Sequence, residues 1–215
     1  MTQFSSQDMA IFDIPDFAGR MSALKESIRP KLESLGEQLV PLLETQFKQD
    51  FYPHVAKHMR RRVNPPDETW VALGPQKRGY KAYVYFAFCV GKSGAHARVV
   101  MKDESPMRKA MGQNLAHNIH FFERHRSDFK NLHNYILPSA AAKKNTGDLT
   151  ALKMRDLEPS LLEIAERLQK LKSALFDVGI PLKCSSKRLV QDCLKAFDLL
   201  FPFYECGLKE KVELI

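Results

Sequence analysis

The sequence predicts an α+β fold, an antiparallel or mixed sheet that includes a central hairpin and is packed against amphipathic helices. Three observations carry that prediction. Apolar residues recur at helical spacing in segments near both ends of the chain. Between them, Tyr83–Val90 alternates strictly, with Val84, Phe86, Phe88 and Val90 on one face and Tyr83, Tyr85, Ala87 and Cys89 on the other. The chain then turns at Gly91-Lys92-Ser93-Gly94 and returns as Ala95–Met101, an antiparallel partner. Helices that bracket and interrupt such a hairpin belong to a layered α+β domain.

The elements follow in order. Residues 1–7 are expected to be disordered, and 1–215 to form one domain. Asp16 is an N-cap for a helix to about Ser27, with Phe17, Met21, Leu24 and Ile28 on its apolar face. Pro30 is expected to break or kink the backbone. Leu32, Leu35, Leu39, Leu42 and Leu43 then form a second stripe reaching Phe47. Phe51–Met59 reads as a strand, Asn64-Pro65-Pro66-Asp67 as an extended turn, Thr69–Leu73 as a strand ended by Gly74-Pro75, and Tyr80–Val90 as the first hairpin strand. Ser105 and Pro106 open a helix to about His125. Leu132–Leu137 is a short strand and Ser139–Gly147 a loop. Glu158–Lys172 is helical, with Leu161, Ile164, Leu168 and Leu171 inward; Ala174–Leu182 is a strand; and Lys187–Phe201 is a helix with Leu189, Cys193, Phe197 and Leu200 inward.

A chain of 215 residues needs no disulfide or metal to bury an adequate core. Cys89, Cys184, Cys193 and Cys206 make no C-x-x-C pair, which points to reduced thiols and a cytoplasmic location. The longest apolar run, Ala82–Val90, is too short to span a bilayer as a helix, so no membrane partner is expected. The net charge of +8 favours anionic partners: a small phosphate-bearing molecule, with nucleic acid as the alternative.

That charge is concentrated. Phe51–Lys81 holds Lys57, Arg60, Arg61, Arg62, Lys77, Arg78 and Lys81 against Asp67 and Glu68, a net +5 of the chain's +8. A charge serving solubility alone would be dispersed. Arginine presents a planar fork of donors that fits phosphate or carboxylate. His54 and His58 add donors, Asn64 lies in the turn between the two basic clusters, and Gly79 can let a backbone N–H approach a ligand. Trp70 and Tyr80 can stack on a ligand near the charge, although a core anchor is the plainer role for Trp70. For the arginines, the plainer alternatives are a solvated face or internal pairing with carboxylates. The expected ligand contacts are therefore His54, Lys57, His58, Arg60, Arg61, Asn64, Trp70, Lys77, Arg78, Tyr80 and Lys81.

The run HVAKHMRRRVNPPDETWVALGPQKRGYK resembles the signature of the YktB-like family of bacterial proteins of unknown function. The stretches FAGRMSALKESIRPKLESLGEQL, FYPHVAKH and LFPFYE are similar to the same family, so the resemblance covers most of the chain. Met59 and Arg62 depart from the pattern around the Arg pair, and Ala82–Val90 is more aromatic than the usual strand entry. The resemblance implies a cytoplasmic α+β protein and carries over no activity, cofactor or catalytic residue.

Other constellations are weaker. On a strand, His54 and His58 would sit roughly 13 Å apart, too far to share a metal. His117, His120 and His125 fall along one helix with Glu123, where exposed polar positions are the plainer reading. Neither set is expected to bind a metal. There is no G-x-S-x-G elbow, and Gly91-Lys92-Ser93-Gly94 lacks the leading glycine of a phosphate loop. No cofactor is expected. The pattern supports three functions: a binding protein for an anionic ligand, an enzyme acting on a phosphoester or acyl group with His54 or His58 as acid or base, or an interaction protein whose arginines pair internally.

Overall fold

A computed structural model describes residues 3–59, 61–135, 152–153 and 157–214. Of residues 1–7, expected to be disordered, 3–7 are among those described. Ser5 caps helix α1 (Ser6–Ala10) in a capping box with Asp8, and the Phe4 ring is fully buried against Phe88. A single large aromatic side chain secures this otherwise polar segment.

Asp16 caps α2 (Phe17–Ala23) as expected, its carboxylate accepting from the Gly19 N–H at 2.6 Å. Pro30 does not break the helical path. A π-turn over Leu24–Ile28 runs directly into α3 (Arg29–Phe47), which places Pro30 in the new helix's first turn. A missing N–H costs little there. Leu32, Leu35, Leu39 and Leu43 are buried, whereas Leu42 is 42% exposed and does not belong to the stripe.

The sheet begins with β1 (Tyr52–Val55), shorter than expected, and β2 (Glu68–Gly74). The predicted hairpin is present as β3 (Val84–Gly91) and β4 (Gly94–Met101), in register from Val84–Met101 to Gly91–Gly94. Tyr80–Ala82, expected to open the strand, forms a 3-10 turn instead. Two-residue strands β5 (His133–Asn134) and β6 (Leu152–Lys153) and the longer β7 (Phe176–Leu182) complete the sheet. The order is β1-β2-β3-β4-β7-β5-β6, and every described pairing is antiparallel.

The helix expected over Ser105–His125 is divided at Asn118 into α4 (Arg108–His117) and α5 (Ile119–Arg124). Buried Asn118 and Asn114 bind the C-terminal tail: their side-chain oxygens accept from the Leu214 and Val212 backbone N–H groups at 2.7 and 3.1 Å. Helix α6 spans Leu157–Lys170, with Leu161, Ile164 and Leu168 buried. Leu171 lies past its end and is 44% exposed, contrary to expectation. Helix α7 (Leu189–Leu208) continues beyond the expected stop at Phe201, through Pro202, and adds Phe203, Tyr204 and Cys206 to the core. The expected Ser139–Gly147 loop and the last two residues of the Leu132–Leu137 strand lie outside the described residues.

The two faces of the sheet differ. Val84, Phe86, Phe88 and Val90 face α3 and α7 in one core that extends from Phe4 to Cys206; Phe86 stacks on Tyr204 at 4.5 Å. The opposite face carries Ala72, Tyr85, Ala87, Cys89 and Val100, with Trp70 and Tyr80 packed against them. Among the described residues, no helix is long and apolar enough to cross a membrane.

Candidate functional site

The second face of the sheet holds the basic segment. β1 and β2 pair with His54 opposite Ala72, and β2 and β3 with Trp70 opposite Cys89, so His54 and Trp70 share this face. Beyond β1 the chain carries Lys57, His58 and Arg61 past Trp70. Beyond β2, Gly79 adopts φ +68, a left-handed conformation that glycine accepts without strain, and starts the 3-10 turn bearing Tyr80 and Lys81. The two ends of the segment meet around a cavity of about 550 Å3 lined by Pro53, His54, Val55, Ala56, Lys57, His58, Met59, Arg61, Trp70, Tyr80 and Lys81.

Of the sequence-predicted contacts, His54, Lys57, His58, Arg61, Trp70, Tyr80 and Lys81 therefore converge. Lys77 lies over the Tyr52 ring at 5.6 Å, and neither it, Arg78 nor Asn64 is part of the lining. Asn64 contributes through its backbone carbonyl, which accepts from Arg61 Nη1 at 3.3 Å. Arg60 lies outside the described residues. Sequence reasoning did not single out Met59 as a lining residue, although it is 79% exposed, an unusual position for a large apolar side chain.

The polar groups in the wall are oriented by one another. His54 stacks on Tyr80 at 4.8 Å, and its Nε2–H donates to the Gln76 carbonyl at 2.9 Å. Trp70 Nε1–H donates to the Tyr80 hydroxyl at 3.3 Å. Burial raises the Tyr80 pKa, so the phenol keeps its proton. His58 occupies a left-handed backbone conformation at φ +51, which is uncommon for a residue with a side chain. Its Nε2 lies 3.0 Å from Thr69 Oγ1, and its ring meets Trp70 nearly perpendicularly. Burial, and then the charges of Arg61, Arg29 and Lys81, push its pKa down to about 4. His58 is consequently neutral at pH 7, beside a cluster of uncompensated cations.

Among the described residues, neither Arg61 nor Arg78 forms an ion pair with a carboxylate. The structural arginines are others. Buried Arg20 donates to the Ile14 and Pro66 carbonyls and to Asp67, anchoring the Asn64–Asp67 turn. Arg98, 1% exposed in the middle of β4, donates to both Glu68 oxygens at 3.2 and 2.7 Å. It lies 3.6 Å from Asp177 and 3.8 Å from the Tyr135 ring centre. Burial raises the Asp177 pKa against the opposing pull of Arg98 and Lys102. His96, 2.7 Å from the Tyr135 hydroxyl, is pushed down to about 4, chiefly by burial. Glu68, Arg98 and Asp177 of this network line a second, small pocket together with Trp70. A signal for it was present in the alternation of His96 and Arg98 with Ala95, Ala97 and Val99.

His120, expected on the α4–α5 segment, is exposed and bonded to Glu123 at 3.0 Å. All four cysteines are free thiols.

Residues 4–204 match the family model described as "Domain of unknown function (DUF1054)". A UPF0637 protein from Lysinibacillus sphaericus (strain C3-41) is 30% identical over 208 residues, covering 94% of each chain. UPF0637 proteins from Bacillus thuringiensis (strain Al Hakam) and Bacillus cereus (strain AH820) are 38% identical over 181 residues, covering 82% of this chain and 81% of theirs.

Proposed function

We propose that this chain, which belongs to the DUF1054 family, is a binding protein for a phosphate-bearing anion, held in the cavity between β1 and the Gly79 turn. The observation that carries the reading is the composition of the wall: among the described residues, Lys57, Arg61 and Lys81 line it and no carboxylate does. In such a site a phosphate gains from cations that are not already neutralised by the protein. Arg61 clamps the anion with its fork of donors, Lys57 and Lys81 neutralise it, and the Tyr80 hydroxyl donates a hydrogen bond. Among the described residues Arg61 and Arg78 have no carboxylate partner, which argues against the reading in which these arginines are structural.

The test is a thermal-shift screen at low and high salt, with inorganic pyrophosphate, phosphorylated sugars, nucleotides, coenzyme A esters and short DNA and RNA. A ligand at a hundredfold excess over its Kd stabilises the native state by about 2.7 kcal/mol. A small phosphate compound should raise Tm in high salt as well, and the shift should vanish in Arg61→Ala. A shift from nucleic acid alone, lost in high salt, would mean backbone binding and defeat the reading.

A second reading, an enzyme acting on a phosphoester or acyl group in the same cavity, is favoured by His58. The His58 ring, held by Thr69 and neutral at pH 7, can accept a proton only weakly with its pKa pushed down to about 4, so this reading requires a bound anion to raise its basicity while the cations stabilise developing negative charge. Turnover of the ligand found in the screen, abolished in His58→Asn with binding retained, would establish it.

A further inference from the structure

Resting on the reading of the cavity as a phosphate site, we infer that its ligand is a free mononucleotide, with the phosphate against Arg61, Lys57 and Lys81 and the base seated on Trp70.

Three observations lead there. The cavity volume of about 550 Å3 far exceeds what a phosphate ion fills and lies within the range of sites that enclose whole cofactor-sized molecules. The wall that is not cationic is aromatic: Trp70 and Tyr80 line it, with His54 stacked on Tyr80. The aromatic groups are also unequally occupied. Tyr80 already has His54 parallel to it and Tyr85 against it edge to face. Trp70 has no parallel partner among the described residues; His58 meets it at 86°, and Tyr80 touches it through the Nε1 edge. A half-buried indole with its orientation fixed by a hydrogen bond, placed beside uncompensated cations, fits a planar heteroaromatic ring that carries a phosphate.

The surrounding hydrogen bonds strengthen the case. The Tyr80 hydroxyl accepts from Trp70, and among the described residues its own proton has no acceptor, so it can donate to a ribose or phosphate oxygen. A sugar phosphate would use the cations and this hydroxyl but leave the indole without a partner. A single-stranded nucleic acid uses the same chemistry, but it would engage an extended basic groove with several stacking rings. Here, among the described residues, Trp70 is the one large aromatic ring of the lining without a stacked neighbour, and Lys77 and Arg78 lie outside the cavity.

The chain contains one tryptophan, so fluorescence excited at the red edge, where its six tyrosines do not absorb, reports this ring alone. The wild-type protein would be titrated with AMP, GMP, ribose 5-phosphate, inorganic pyrophosphate and a short single-stranded oligonucleotide, following fluorescence and, in parallel, calorimetry. AMP or GMP should quench Trp70 and bind roughly five- to hundredfold tighter than ribose 5-phosphate, the range expected from one base–aromatic stack. In Trp70→Leu that preference should collapse to about onefold. Trp70→Phe, which keeps an aromatic face and serves if the leucine variant does not fold, should retain part of it.

Ribose 5-phosphate or pyrophosphate binding as tightly as AMP and GMP would overturn the inference and leave the phosphate site standing. Binding of the oligonucleotide but neither mononucleotide would overturn it in favour of a strand. Binding of no phosphate compound would overturn both the inference and the reading beneath it.

Discussion

Acidification from pH 7 to 5 tests the electrostatics of the cavity directly. His58 has its pKa pushed from 6.5 to about 4 in the folded protein. The unfolded chain therefore binds a proton between these values that the folded chain refuses. Stability that is fully present above pH 6.5 is lost as pH falls towards 4, at about 1.4 kcal/mol per unit. Over the 1.5 units from 6.5 to 5 this amounts to about 2 kcal/mol from His58, less where cavity water screens the ring. His96, also pushed down to about 4, contributes a loss of the same sign and similar size. A combined loss of at most about 4 kcal/mol, reduced by the same screening, is still a sizeable share of the roughly 5–15 kcal/mol that stabilises a typical domain. The assay is urea unfolding followed by circular dichroism at pH 7, 6 and 5, on wild type and His58→Asn. Asparagine tolerates the left-handed conformation at this position, so the comparison isolates the titration from backbone strain. The variant should lose about half as much stability as wild type over the same interval. In Arg61→Ala, an NMR titration should place the His58 pKa above the wild-type value but below 6.5, because one repelling charge is gone and the burial remains. An unchanged pH slope in His58→Asn, or an ordinary pKa for His58 in wild type, would refute the description of the ring as buried among uncompensated cations.

Binding and stability should separate across four substitutions. Arg61→Ala should weaken binding of a phosphate ligand about tenfold or more, whereas Arg78→Ala, outside the cavity, should change calorimetric affinity less than threefold. Glu68→Ala leaves the buried Arg98 guanidinium with Asp177 alone at 3.6 Å, and should cost about 3–5 kcal/mol in urea unfolding. Gly79→Ala meets no neighbour within 4 Å but imposes a side chain on φ +68; it should cost about 1–2 kcal/mol and shift the turn that carries Tyr80 and Lys81.

The central hairpin was legible because its signal is local. Alternation through Tyr83–Val90, the Gly91–Gly94 turn and the Ala95–Met101 return specify the pairing from adjacent residues, and the register from Val84–Met101 to Gly91–Gly94 follows. The four leucines buried in α3 and the inward row Leu189, Cys193, Phe197 and Leu200 of α7 were legible for the same reason. The family was legible in the basic segment itself. Local rules failed where packing overrode them. Pro30 and Pro202 stand within continuous helical segments, Pro30 in the first turn of α3 where a missing N–H costs little, and Leu171 points outward because α6 ends before it.

The sequence by itself determined which residues are chemically able to hold an anion and that they lie close together along the chain. Only the tertiary structure decided which of them share a cavity. Lys57 and Lys81 are separated in sequence by one strand, β2, and the turns on either side of it. They meet because β1 and β2 fold back on each other with His54 opposite Ala72, and because Gly79 redirects the chain at φ +68. Lys77 and Arg78, nearer in sequence to Lys81, are left outside by the same turn. Likewise, composition could not distinguish the exposed Arg61 from the buried Arg98. A guanidinium becomes structural or available according to whether a carboxylate such as Glu68 is brought within hydrogen-bonding distance, and strand register, not residue type, settles that.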